Sequence, residues 1–377
     1  MIYLDYAASA PLRPVARTKM LEIWDTNQGN GLNPSSLHVG GRGARELLEQ
    51  ARADIAECIG AAAPEVIFTA GGTEADALAV RGLWKEGGDV LAISAIEHAA
   101  ISENAREGGR KLLVLPVTES GVLNLEKAQE LLASENLGLV SVMAVNNEVG
   151  TIQPVLELTK WLALVHPGVP IHCDAVQGAG KVPLDFSASG LTAMSLAAHK
   201  VGGPTGVGAL VLKKGVTLKS DRLGGGQERG VRSGTQSVAG AAGFAAALRQ
   251  AVTEDHTQTE QYCEEMRRAL RQIKGVKLTT SAPTAPGFVH FSVAGATSEG
   301  LLFGFDQQGI CVSAGAACKA GVARPSNVLL AMGRSEDEAI GTVRVTPGWN
   351  TSESDVVTFI RALPGVIEIA RKLGGRK

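Results

Sequence analysis

From about Pro64 onward, short apolar runs alternate with amphipathic stretches. The runs are Val66–Thr69, Val90–Ser94, Leu112–Pro116, Leu139–Val145, Ile171–Cys173, Thr192–Leu196 and Gly208–Leu212. Between many of them lie helical patterns such as Glu74–Trp84, Leu125–Ala133 and Val155–Val165. Strands interleaved with helices predict an α/β domain with a mostly parallel, seven-stranded sheet. The strands are apolar along their whole length, which predicts burial on both faces. After about Ser237 the pattern changes. Two long helical stretches come first, near Ala239–Val252 and Gln258–Ile273. Strands near Val276–Thr280, Gly287–Val293 and Thr342–Thr346 follow, which predicts a smaller α+β domain. A last helix is expected after Ser352, with Asp355 completing a capping box. Leu363-Pro364-Gly365 is expected to kink or break it. The division that follows is a large domain over residues 15–248 and a small one over 249–377, joined by the N-terminal segment 1–14.

Length supports two domains, since 377 residues exceed one ordinary core. The apolar share of 45% is ample for burial, and no stretch reaches transmembrane length. A formal charge of −2 with mixed signs offers no basic field for nucleic acid or an anionic membrane. The N-terminus shows no export-type leader, so a cytoplasmic location is the expectation. The five cysteines are scattered and lack metal-type spacing, so neither a disulfide framework nor a metal site is expected.

The chemistry gathers at strand ends. Lys200 follows the run Met194–Ala198 and His199, and opens onto Val201-Gly202-Gly203. Asp174 ends the run Ile171-His172-Cys173. One strand delivers an amine and its neighbour a carboxylate, which is what pyridoxal phosphate needs: a Schiff-base lysine and an acid for its ring nitrogen. Thr69-Ala70-Gly71-Gly72-Thr73-Glu74 joins a strand to a helix and would offer N–H groups to an anion; an ordinary turn with Thr73 as N-cap is the alternative. Asn146-Asn147-Glu148 and His98 lie past two further strand ends, where open α/β sheets bind ligands. The asparagines also suit a simple side-chain-bonded turn. Gly224-Gly225-Gly226-Gln227-Glu228-Arg229-Gly230-Val231-Arg232-Ser233-Gly234-Thr235 is either an anion contact or a linker. Cys318 sits among glycines and alanines beside Lys319, a setting that favours an accessible thiolate. Arg344, alternating with apolar residues on a strand, calls either for a bound carboxylate or for an ion pair with a neighbouring acid.

Together with Tyr3-Leu4-Asp5-Tyr6-Ala7-Ala8, Asn33-Pro34-Ser35-Ser36-Leu37-His38, Gly41-Arg42 and Pro325-Ser326, these motifs resemble a cysteine desulfurase of the class V aminotransferase family. The likeness runs along nearly the whole chain, in order, and extends to the branch with a long cysteine loop. It implies a fold-type I pyridoxal 5′-phosphate transferase that converts L-cysteine to L-alanine and leaves the sulfur on an enzyme cysteine as a persulfide. By resemblance, Lys200 carries the cofactor, Asp174 pairs with its ring nitrogen and Gln177 bonds its ring oxygen. His98 stacks on the ring and moves protons. Gly72, Thr73 and His199 hold the phosphate, helped by Thr235 from the second subunit of a homodimer. Asn147 and Arg344 hold the substrate carboxylate, and Cys318 is the nucleophile. A sulfur-acceptor protein, either an iron–sulfur scaffold or a tRNA-thiolation protein, is the implied partner.

Some positions depart from the family pattern. Ala197 stands where a hydroxyl-bearing phosphate ligand is usual, Ala316 replaces a frequent serine, and Gln227 replaces a frequent histidine. Thr346-Pro347 follows Arg344 in place of the more usual Ser-Leu. Two other readings are selenocysteine lyase or another class V activity, and a non-catalytic scaffold for acceptor proteins. Retention of both Lys200 and Cys318 weighs against the scaffold.

Overall fold

The computed structural model describes residues 1–25, 32–314 and 325–374. Its twelve strands are β1 (Ile2–Tyr3), β2 (Val66–Thr69), β3 (Val90–Ser94), β4 (Lys111–Leu115), β5 (Leu137–Ser141), β6 (Ile171–Asp174), β7 (Ala193–Ala197), β8 (Gly208–Leu212), β9 (Val276–Leu278), β10 (Val289–Val293), β11 (Ile310–Cys311) and β12 (Thr342–Val345). Seven of them form the central sheet, in the order β2-β8-β7-β6-β5-β3-β4. All neighbours are parallel except that β8 runs antiparallel to both β2 and β7. The expected α/β class and mostly parallel sheet are therefore present.

Alternation along the strands explains the layers. Val66 and Phe68 face one apolar cluster while Ile67 faces the other; Val90 and Ala92 divide from Leu91 and Ile93 in the same way. Helices Val39–Cys58 and Val238–Val252 pack together in the first layer, and Gly72–Gly82 and Ala99–Glu107 in the second. Helices thus cover both faces, which is why the strands read as continuous apolar runs.

A separate cluster contains Leu4, Phe291, Phe305, Val343 and Phe359. It packs around the antiparallel sheet β12-β10-β9, with the rings of Phe305 and Phe359 stacked at 5.3 Å. Leu4 belongs to this cluster because β1 pairs with β11.

Two expectations need amending. The C-terminal helix, Glu353–Gly374, is continuous through Pro364, so of the expected kink or break the break is absent. Val356, Phe359 and Leu363 before the proline and Val366, Ile367 and Ala370 after it are all buried on one face. Each large apolar side chain gains about 1.5–3 kcal/mol on burial, which outweighs the roughly 3 kcal/mol that an interior proline costs. The expected capping box does form: the Asp355 N–H donates to Ser352 Oγ (3.3 Å) and the Ser352 N–H to Asp355 Oδ2 (2.9 Å). The other is β5, which ends at Ser141 although the apolar run continues to Val145. Met143 turns its N–H to the Glu97 carboxylate at 2.8 Å, while Val142 and Ala144 still donate to the His172 and Asp174 carbonyls of β6 at 3.1 and 2.8 Å.

Candidate active site

The ladder sets Asp174 of β6 opposite Ser195 of β7. Past Ala197, a single turn over Ala198–Lys200 brings the lysine back towards this end of the sheet. Lys200 Nζ donates to the carbonyls of Ala7 (2.7 Å) and Ala8 (3.0 Å). Burial, with Arg344 as the next cause, pushes the Lys200 amine down to about 8. Gln177 Nε2 donates to the same Ala7 carbonyl at 2.7 Å. The N-terminal segment is fixed in turn from the far end of the chain, where Thr346 Oγ1 accepts from the Ala7 N–H at 3.0 Å.

Asp174 is buried, and burial raises its carboxyl above the usual range. The Val176 N–H (2.9 Å) and the nearby His98 and Lys200 act the other way. His98 caps helix Ala99–Glu107, its Nδ1 accepting from the Ala100 N–H at 3.1 Å. With Nδ1 an acceptor, the ring proton sits on Nε2. Burial lowers the His98 pKa, so the ring is neutral at ordinary pH.

Helix Gly72–Gly82 begins with Gly71 as N-cap at φ 154°, and no side chain caps it. Its first N–H groups are therefore open to an anion. A Cβ on Gly72 would lie 2.7 Å from Val176 Cγ2, so only glycine lets the helix start this close to β6. Thr73 lies exposed inside the first turn rather than at the cap, which removes the N-cap reading of that threonine. His199 Nδ1 is 3.3 Å from Ser9 Oγ, and burial pushes its ring down to about 4.

Arg344 is buried on β12. It donates through Nη1 to the Asn147 carbonyl (2.5 Å) and through Nη2 to Asp5 Oδ1 (2.8 Å). The neighbouring-acid alternative is therefore present in Asp5. Even so, Arg344 Nε is buried with no partner among the described residues. Asn146, not Asn147, builds the adjacent turn: its Oδ1 accepts from the N–H groups of Glu148 and Val149, each at 2.9 Å.

Thr235 is exposed, on the loop that leaves Glu228–Gly230. Glu228 and Arg229 adopt positive φ of 47° and 58°. That backbone is held by a buried clamp in which Arg52 donates to both Glu228 oxygens, at 2.7 and 2.9 Å. Cys318 and Lys319 lie outside the described residues. The flanks of that segment meet the site. Ser313 and Arg344 exchange backbone bonds of 3.1 and 2.7 Å, and Ser326 Oγ donates to Glu148, the residue after Asn147.

Sequence reasoning missed a polar layer beneath these groups. Glu97 Oε1 accepts from Ser94 Oγ (2.5 Å) and the Met143 N–H (2.8 Å), while Oε2 has no partner among the described residues. Burial pushes its carboxyl up to about 8. His172 bridges Ser141 Oγ and Ser195 Oγ at 2.9 Å each, with Asp76 Oδ1 3.7 Å away, and burial pushes its ring down to about 3. The available signals were slight: Glu97 directly precedes His98, and His172 is a polar residue inside an apolar run.

These groups suit pyridoxal phosphate. A half-buried lysine donates to two carbonyls, a buried carboxylate has an N–H as its direct bond, and an uncapped helix end adjoins them. Fold and site thus define an α/β enzyme of the pyridoxal-phosphate class.

The family model described as aminotransferase class-V matches residues 2–359. The chain is 41% identical to an IscS-like cysteine desulfurase of Mycobacterium tuberculosis, over 99% of this chain and 98% of that protein. It is 35% identical to the cysteine desulfurase IscS of Dictyoglomus turgidum, over 100% and 97%. Among solved structures, a NifS-like protein from Rickettsia africae superposes with a TM-score of 0.88 at 32% identity, covering 98% of this chain and all of that one. SspA in complex with cysteine superposes at 0.80 with 29% identity, over 92% and 98%. The chain belongs to the class V aminotransferase family, as one of its pyridoxal-phosphate-dependent cysteine desulfurases. Among the described residues, no helix is long and apolar enough to cross a membrane.

Proposed function

We propose that the enzyme converts L-cysteine to L-alanine and passes the sulfur through Cys318, as a persulfide, to an acceptor protein in iron–sulfur cluster assembly or tRNA thiolation. We further propose that it acts as a cytoplasmic homodimer, divided into a domain over residues 15–248 and one over 249–377 with 1–14. The observation that carries the site assignment is the half-buried Lys200 beside the buried Asp174 at neighbouring strand ends, with Arg344 Nε, unpartnered among the described residues, nearby.

Pyridoxal phosphate, when bound, supplies an electron sink for the substrate carbon. Lys200 holds it and, with an amine already depressed to about 8, takes and returns the Cα proton. Asp174 keeps the ring nitrogen protonated; a cation there is the partner its buried carboxylate calls for. Gln177 donates to the ring oxygen. His98 would adjoin the cofactor beside Asp174 and Lys200, where its Nε2–H would be available to move a proton. Gly72, Thr73 and His199 hold the phosphate, with Thr235 supplied by the second subunit. Arg344 and Asn147 hold the substrate carboxylate, Arg344 through its spare Nε–H.

Cys318 then attacks the substrate sulfur as a thiolate. An S–S bond forms and the Cβ–S bond breaks. The electron pair stays on carbon, which takes up a proton and departs as alanine. Three of the other thiols are poorly suited to this work. Cys173 and Cys263 are buried, and burial raises both, to about 12 for Cys263; Cys58 is raised as well. After one turnover with L-cysteine, alanine should appear and mass spectrometry should find one extra sulfur on the peptide that holds Cys318. Extra sulfur on the peptide of Cys58, Cys173, Cys263 or Cys311 instead would overturn the assignment.

A further inference from the structure

Beyond the groups assigned above, Lys181 is joined to the site through one side chain. It lies four residues past Gln177, its Nζ donating to Gln177 Oε1 at 3.1 Å and to the Gln177 carbonyl at 3.4 Å. The other end of the same amide, Nε2, donates to the Ala7 carbonyl at 2.7 Å, and Lys200 donates to that carbonyl as well. The Gln177 side chain is thus held between an amine that donates to its oxygen and a carbonyl that can only accept. Turning the amide over would set its oxygen against the Ala7 carbonyl and take it away from the Lys181 donor, losing bonds in a buried place. Lys181 also lies 5.4 Å from the centre of the Phe288 ring, which holds its stem in place. Its position is enclosed but not sealed, because it forms part of the wall of a cleft of about 560 Å³ and of a smaller cavity that Lys200 also lines.

We propose that Lys181 is a positioning residue that fixes the Gln177 amide, so that its N–H end, and not its oxygen, faces the cofactor's ring oxygen. The inference rests on the pyridoxal-phosphate reading of this site. A ring oxygen carrying negative charge needs a donor, and an amide free to turn would present an acceptor part of the time. Lys181 touches neither cofactor nor substrate; it acts through Gln177.

The test is a double-mutant cycle on the full-length protein, read by cofactor affinity in equilibrium dialysis and by the visible spectrum of the bound cofactor at one fixed pH. Lys181→Met should weaken pyridoxal phosphate binding roughly 3- to 10-fold, the worth of about one net hydrogen bond, and should shift the visible band. Lys181→Arg, which keeps a donor, should restore most of both. In a Gln177→Ala background, Lys181→Met should have less than about a 2-fold effect, because the residue it acts through is gone. Lys181→Ala carries the same cycle should the methionine variant not fold. An unchanged affinity and spectrum in Lys181→Met would overturn the inference, as would an equal loss in both backgrounds. Borohydride treatment of the wild type with pyridoxal phosphate separates this from the parent reading. Failure to trap cofactor on Lys200 overturns both, whereas trapping with a silent Lys181 variant overturns only the inference.

Discussion

At the scale of single residues, the site is governed by charge that burial disfavours. Lys200 is held towards its neutral form, and Glu97 and Asp174 are raised, all with desolvation as the largest cause. Glu97 gives a clean test, because its folded value of about 8 lies well above the ordinary 4.5. Between those two values the folded state holds a proton that the unfolded state has released. Stability therefore falls as pH rises through this window. Glu97→Gln removes that titration. In urea unfolding across pH, the variant should gain on the wild type as pH rises from 4.5 towards 8, by a few kcal/mol in all, with a flat difference below 4.5. A difference that does not change with pH would mean that Glu97 is ionised in the fold.

At the scale of elements, local rules held except where a larger surface opposed them. The glycine-rich start of helix Gly72–Gly82 and the Ser352–Asp355 box followed the sequence pattern. Pro364 did not break its helix, because Glu353–Gly374 buries residues on both sides of it. The proline is exposed, so its own contribution is mainly a lost backbone bond and a clash. Pro364→Ala should stabilise the protein by about 1–3 kcal/mol, read as a higher urea midpoint with activity unchanged. A loss of stability would show that the ring itself packs usefully. The Arg52–Glu228 clamp shows the converse case. A buried ion pair sustains two residues at positive φ, and this holds the loop that carries Thr235.

At the scale of the whole molecule, the site unites distant parts of the chain. Ala7, Gln177 and Lys200 share one carbonyl, and Asp5 meets Arg344 across 339 positions of sequence. The exposed Thr235 is where the proposed second subunit would enter. Two variants defective for different reasons should then complement each other. Mixed and exchanged Lys200→Ala and Thr235→Ala subunits should show activity above either parent, since one site in each hybrid has both residues intact. No gain after verified subunit exchange, or full activity in a species that sediments as a monomer, would remove the shared site.

Periodicity by itself fixed much of this protein. The seven apolar runs became the seven strands of the central sheet, because a strand buried on both faces leaves an unmistakable apolar record. Lys200, Asp174 and His98 were legible as polar groups at strand ends, where an α/β sheet gathers ligands. Tertiary structure alone decided what those groups touch. That Asp5 pairs with Arg344, that Lys181 holds Gln177, and that Glu97 and His172 lie buried under the site all depend on contacts between segments far apart or on depth of burial. The reason is physical. Strand propensity is a property of a short window of sequence, whereas desolvation and partner choice are set by which distant segments close over a side chain.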